Sequence, residues 1–163
     1  MSSGRWHIVL AAATLAFAGL TMAATPTFRC PDAGKIKSVV EDDCATRADS
    51  RGVIYSADDG GIDWEGEDPS TCENKLHFKM TFAAANILAS GQVTCDYKPT
   101  TEQAAAEADG KPKIFLRMSS KGDTRYEPVA EGSDGWSAQE SNGTSAQRCT
   151  GGSSPACLFR EAR

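Results

Sequence analysis

The sequence predicts an α+β domain, with a short N-terminal helix packed on a mainly antiparallel sheet and disulfides holding the two together. Three observations predict it. Runs of alternating apolar and polar residues recur from Lys75 to Ser119, the period of a half-buried strand. Helical spacing of apolar residues occurs in one short stretch, just after Cys30. Six cysteines follow a segment that reads as an export signal, and an exported chain can keep disulfides.

Residues 1–24 supply that signal. Arg5 gives a positive start, Ile8 to Leu20 an apolar stretch, and Thr21-Met22-Ala23-Ala24 small residues for cleavage. The stretch is shorter than a membrane span needs and no stop-transfer pattern follows it. No cysteine stands directly after it to take a lipid. The Ala-rich character suits a bacterial signal, so the expected location is periplasmic or secreted.

Residues 25–163 then form one domain with a Ser/Gly-rich C-terminal tail. This part has 16 Lys+Arg against 22 Asp+Glu, a net charge of −6. It holds only 19 Leu, Ile, Val or Phe residues, roughly 14 %. A share under about 20 % with a clear net charge points to disorder unless cross-links hold the chain. Cys30, Cys44, Cys72, Cys95, Cys149 and Cys157 are those cross-links. The closest two are eight positions apart, which excludes the tight pairs of a zinc site. Six cysteines permit fifteen connectivities. The order of the elements favours Cys44–Cys72 and Cys149–Cys157, each closing its own segment, and Cys30–Cys95 tying helix to sheet.

The elements follow in order. Pro31 to Asp43 reads as the helix, with Pro31 in the first turn, Asp32 at the positive dipole end, and Ile36, Val39 and Val40 on one face. Residues 44–52 are polar and read as a loop. Gly52 to Ala57 is a strand by its β-branched and aromatic content, and Ile62 to Gly66 its partner across an Asp59-Gly60-Gly61 turn. Lys75 to Phe82 is the clearest strand, since Leu76, Phe78, Met80 and Phe82 alternate with polar residues. Ala83 to Leu88 suits either a continuation or a helical turn. Gln92 to Lys98 and Lys113 to Ser119 are further strands. Thr100 to Gly110 between them carries helix signals, a capping pair Thr100/Gln103 and a Gly110-Pro112 stop. Arg125 to Val129 and Trp136 to Gln139 read as edge strands, Pro128 favouring an edge. Glu140 to Pro155 reads as tail, and Asn142-Gly143-Thr144 as a sequon without meaning in a bacterium.

Cys30-Pro31, Trp64-Glu65-Gly66, Phe82-Ala83-Ala84, Cys95-Asp96-Tyr97, Trp136 and Cys157-Leu158-Phe159 together resemble a group of small exported bacterial proteins that has no assigned activity. The resemblance spans most of residues 25–163 and implies compartment and fold only. Against it, the segment from Cys44 to Cys72 reads as an insertion carrying its own cysteine pair.

The composition excludes several chemistries. His7 lies in the signal, leaving His77 as the one histidine of the domain, so neither a Ser-His-Asp arrangement nor a histidine metal site can be built. No nucleophile elbow, Ser-x-x-Lys pair, phosphate loop or dinucleotide fingerprint occurs. Oxidised cysteines leave no thiolate. No cofactor is implied, and the acidic balance excludes nucleic acid as a partner. Carboxylates remain. Asp58, Asp59, Asp63, Glu65, Glu67 and Asp68 fall within eleven residues, with Trp64 among them. A calcium loop is imitated by Asp63, Glu65 and Glu67, but Asp68 stands where it needs Gly and Asn74 where it needs Glu.

The run therefore reads as a solvated loop or as a patch for a basic partner. The expected function is a non-catalytic binding module of the cell envelope, monomeric, such as an inhibitor or immunity-type protein against a basic hydrolase. Its candidate site is Asp58, Asp59, Asp63, Trp64, Glu65, Glu67 and Asp68. The alternative is a small hydrolase that works with carboxylates alone.

Overall fold

A computed structural model of the chain describes residues 25–47, 49–77, 79–100, 116–129, 135–141 and 144–163. The signal segment and the Thr100–Gly110 helix expectation, past Thr100 itself, lie outside the described residues.

Among the described residues ten strands carry the fold: β1 Lys37–Val40, β2 Val53–Asp59, β3 Ile62–Asp68, β4 Met80–Ile87, β5 Val93–Pro99, β6 Leu116–Ser120, β7 Tyr126–Pro128, β8 Trp136–Ser141, β9 Thr144–Cys149 and β10 Phe159–Glu161. Eight of them form one antiparallel sheet in the order β1-β2-β3-β6-β5-β4-β9-β8. The other two, β10 and β7, make a small antiparallel layer to which Phe28 adds a bridge.

This corrects the α+β expectation. No helix of seven or more residues occurs among the described residues. The segment Pro31 to Asp43 makes a single 3-10 turn at Ala33–Lys35 and then becomes β1. The reason lies in the residues. Gly34 weakens any helix at its second turn, and Ile36, Val39 and Val40 are β-branched and stiff at χ1. Pairing Lys37–Val40 along β2 satisfies the backbone where an isolated helix of this length would be marginal.

Two other readings change, and one open alternative is decided. Lys75–His77 is a 3-10 turn, so the expected strand begins only at Met80. It then runs through Ala83–Ile87, with a bulge between Phe82 and Ala84. The supposed tail contains β9, paired with β8 from Trp136↔Cys149 to Ser141↔Thr144. The Asp59–Ile62 connection is two residues long, and Gly60 and Gly61 take φ of 68° and 80°, the pair of positive values that a type I′ turn requires.

One face of the large sheet is apolar and buries the core. Val53, Tyr55, Trp64, Val93, Cys95, Tyr97 and Met118 are all at or within 1 % of complete burial. The small layer covers this face. Phe28, Tyr126 and Phe159 stack edge and face on one another, and Phe159 meets Trp64 edge-on at 6.3 Å. Gly66 lets β3 and β6 approach, since a Cβ there would stand 2.3 Å from the Arg117 carbonyl oxygen.

Three disulfides fasten these layers: Cys30–Cys95, Cys44–Cys72 and Cys149–Cys157. They are the pairs expected from the order of the elements. Cys30–Cys95 pins the N-terminal segment to the central strand, where the Tyr97 hydroxyl donates to the Pro31 carbonyl at 2.6 Å. Cys149–Cys157 pins the C-terminal segment to β9, and the Ser154 hydroxyl donates to the Cys30 carbonyl at 2.6 Å. Such bonds persist in an oxidising compartment. No helix among the described residues is long and apolar enough to cross a membrane.

Candidate functional site

The acidic run forms the β2–β3 hairpin, and strand alternation splits it between two faces. Asp58, Asp63, Glu65 and Glu67 point to the face away from the core, while Trp64 points inward. Trp64 is 1 % exposed. It is a core residue, and its place in the expected site is withdrawn.

Most of the charge is already answered within the chain. Lys35 Nζ donates to Asp59 at 2.6 Å, and the Asp32 backbone N–H donates to the same carboxylate at 3.1 Å. Arg51 donates to Glu67 at 2.5 Å and to Glu65 at 2.6 Å, and Lys121 reaches the other Glu65 oxygen at 3.1 Å. Asp68 takes Lys75 and Ser70. Asp58 and Asp63 differ. Both are exposed, they stand opposite each other across the hairpin, and neither has an ion pair among the described residues. An open concavity of about 510 Å³ beside them is lined by Lys35, Lys37, Asp58, Asp63, Glu65 and Lys121, among others.

These contacts set the electrostatics. Burial pushes the Asp59 carboxyl up, but hydrogen bonds from Lys35 and the Asp32 N–H outweigh it and hold the group below its ordinary value. Asp68 is depressed in the same way, its desolvation overcome by Lys75 and Ser70. Hydrogen bonds from Lys121 and Arg51 lower Glu65, and Arg47 lowers Asp49. Among the described residues, every carboxylate that shifts, shifts down. A carboxylate hydrolase needs the opposite, one acid held protonated near neutral pH.

The depressed groups make acid stability testable. A group whose folded pKa lies below its unfolded value stabilises the fold fully above the unfolded value, near pH 4 for carboxylates. That contribution disappears as the pH falls through the lower, folded value. The melting temperature should therefore hold from neutral pH down to about 4 and drop below it. In Lys35→Met, which removes the main partner of Asp59, the drop should be shallower and the plateau lower. An acid limb identical in variant and parent would show that the Lys35–Asp59 pair adds nothing.

A second polar cluster was not anticipated. Opposite residues of an antiparallel sheet share a face, and one row crosses all eight strands: Lys37, Ser56, Glu65, Ser119, Thr94, Asn86, Arg148 and Ser137. In its middle, beside the row, lies Asp96, with no exposure at all. Arg117 grips it through Nε at 2.7 Å and Nη2 at 3.1 Å, and Asn86 Nδ2 donates to it at 3.1 Å. Arg148 stands 3.7 Å away and donates to Asn86 Oδ1 at 2.9 Å. A buried charge persists only when paired and hydrogen-bonded in this manner. Two guanidiniums on one carboxylate knit β4, β5, β6 and β9 across the face away from the core. No sequence signal marked it, because Asp96 takes a polar position of an alternating strand, between Cys95 and Tyr97, where exposure is the ordinary expectation.

Among the described residues no His, Cys, Asp and Glu side chains gather as a metal site. Comparison of the chain with protein-family models, with curated proteins and with solved structures found no match.

Proposed function

We propose that this is a non-catalytic binding protein of the cell envelope, periplasmic or secreted, which docks a basic protein through the tip of the β2–β3 hairpin. The observation that carries this reading is the Asp58–Asp63 pair. Like charges directly opposite each other destabilise a sheet, and among the described residues no cation pairs with either of them. The neighbouring acids Asp59, Glu65, Glu67 and Asp68 are each matched by Lys or Arg. A fold that neutralises four acids and leaves two bare at a tight turn presents those two to something outside. Inhibition of a basic wall-degrading hydrolase, or immunity against one, fits the compartment and the charge, and the resemblance to small exported bacterial proteins supports the compartment.

Docking of this kind acts through the encounter rate and fades with salt. Residues 25–163, immobilised and exposed to envelope extract at low ionic strength, should retain basic proteins that elute as salt rises. Association of Asp58→Asn/Asp63→Asn with any partner so recovered should be several-fold slower, and its melting temperature equal to the parent's or higher. Wild-type association rates for every recovered partner would overturn the proposal.

A further inference from the structure

We propose that the free edge of β1 pairs with the same edge of a second copy of this chain, so that the two large sheets join into one. β1 is the end strand of the eight-stranded sheet, and end strands present unpaired N–H and C=O groups. It also carries Val39 and Val40, 65 % and 39 % exposed, the exposed large apolar side chains among the described residues. Neither has a role in the core or in the acidic hairpin tip.

The hydrogen-bond phase of β1 determines which groups are free. Lys37 pairs with Ser56, Val39 with Ile54, and the Glu41 N–H donates to the Gly52 carbonyl at 3.1 Å. Hydrogen-bonded positions alternate along an antiparallel strand. Lys37, Val39 and Glu41 therefore turn their backbone groups to β2, whereas Ser38 and Val40 turn theirs outward. A second β1 running antiparallel must set outward residue against outward residue.

One register satisfies this together with the side chains. Ser38 of each copy stands opposite Val40 of the other, which gives two hydrogen-bonded pairs and four backbone hydrogen bonds. Val39 then meets Val39 on the two-fold axis, at a non-hydrogen-bonded position where side chains lie closest. Lys37 stands opposite Glu41 at both ends. Glu41 accepts the Ser50 hydroxyl and the Arg51 N–H through Oε2, leaving Oε1 for that lysine. Sliding by two residues in either direction sets Val39 against Lys37 or Glu41 instead. The lysine that would discourage promiscuous edge pairing is matched only by a copy in this register. The pairing keeps both copies' polar faces on the same side, so it places two acidic hairpin tips on one surface.

An interface of five residues a side is small, and the dimer should be weak and concentration-dependent. Sedimentation of residues 25–163 from micromolar to millimolar concentration should show a monomer–dimer equilibrium. Hydrogen exchange should slow at the Ser38 and Val40 amides as concentration rises and stay constant at Lys37 and Val39. Val39→Lys, which puts two ammonium groups face to face on the axis, should weaken self-association at least tenfold, and Lys37→Glu should weaken it too. Both sites are exposed, so circular dichroism should show each variant folded. A monomer at every concentration would overturn the proposal. So would a dimer that tolerates Val39→Lys, or one that forms without protecting Ser38 and Val40.

Discussion

Replacing Cys30 and Cys95 together by alanine should cost about 4 kcal/mol, read as a lower midpoint in urea. The two cysteines are 65 positions apart, and a cross-link of that span restricts the unfolded chain by about this amount. Typical domains hold about 5–15 kcal/mol in all, and a domain with so few large apolar residues has little to spare. Both cysteines are completely buried, so the substitution also leaves a void against β5 and frees the segment that carries Phe28. Cys149→Ala/Cys157→Ala is the matched comparison. Its cysteines are only eight positions apart, for which the same relation gives about 2.5 kcal/mol. A Cys30/Cys95 variant as stable as the Cys149/Cys157 variant would show that span does not govern these bonds.

Trp64→Ala should cost about 3–5 kcal/mol, the range for emptying a large aromatic site in a core. The indole is almost fully enclosed and meets Phe159 edge-on, so its loss opens the contact between the large sheet and the small layer. Its Nε1 is buried with no hydrogen-bond partner among the described residues, unlike Trp136, whose Nε1 donates to the Leu158 carbonyl at 2.9 Å. An unpaired buried donor costs about 1–3 kcal/mol. Trp64→Phe keeps a ring against Phe159 and removes that donor, so it should retain most of the parent's stability. An alanine variant that unfolds at the parent's midpoint would place the indole outside the core.

Most strands were legible because they are periodic. Val53 to Ala57 and Val93 to Tyr97 alternate, and residues with one buried face must alternate whatever their neighbours. The Asp-Gly-Gly turn was legible from glycine's access to positive φ. The helix reading failed at Ile36, Val39 and Val40, whose spacing fits one face of a helix as well as the two faces of a strand. Over so few residues, period alone does not separate the two. β9 was hidden by composition, since Ser, Ala, Gln and Arg look like tail until a partner strand gives them a ladder. The Asn142-Gly143 pair was the one local signal for it. In the acidic run the residues were visible, but their pairing was not. Arg51, Lys35, Lys75 and Lys121 reach it from outside the hairpin.

The sequence by itself determined what depends on residue type and spacing: a cysteine framework suited to an oxidising compartment, a low share of large apolar residues that leaves much of the stability to that framework, and the hairpin at Gly60-Gly61. Tertiary structure alone decided the rest. It drew the N-terminal segment into an edge strand and joined Arg117 and Arg148 to Asp96 from strands that are distant in the chain. It also left Asp58, Asp63 and the β1 edge without partners among the described residues. The physical reason is common to all of these. Local propensities here differ by fractions of a kcal/mol, whereas a backbone ladder, a buried carboxylate or a cross-strand ion pair gains its energy only when residues far apart in sequence arrive together.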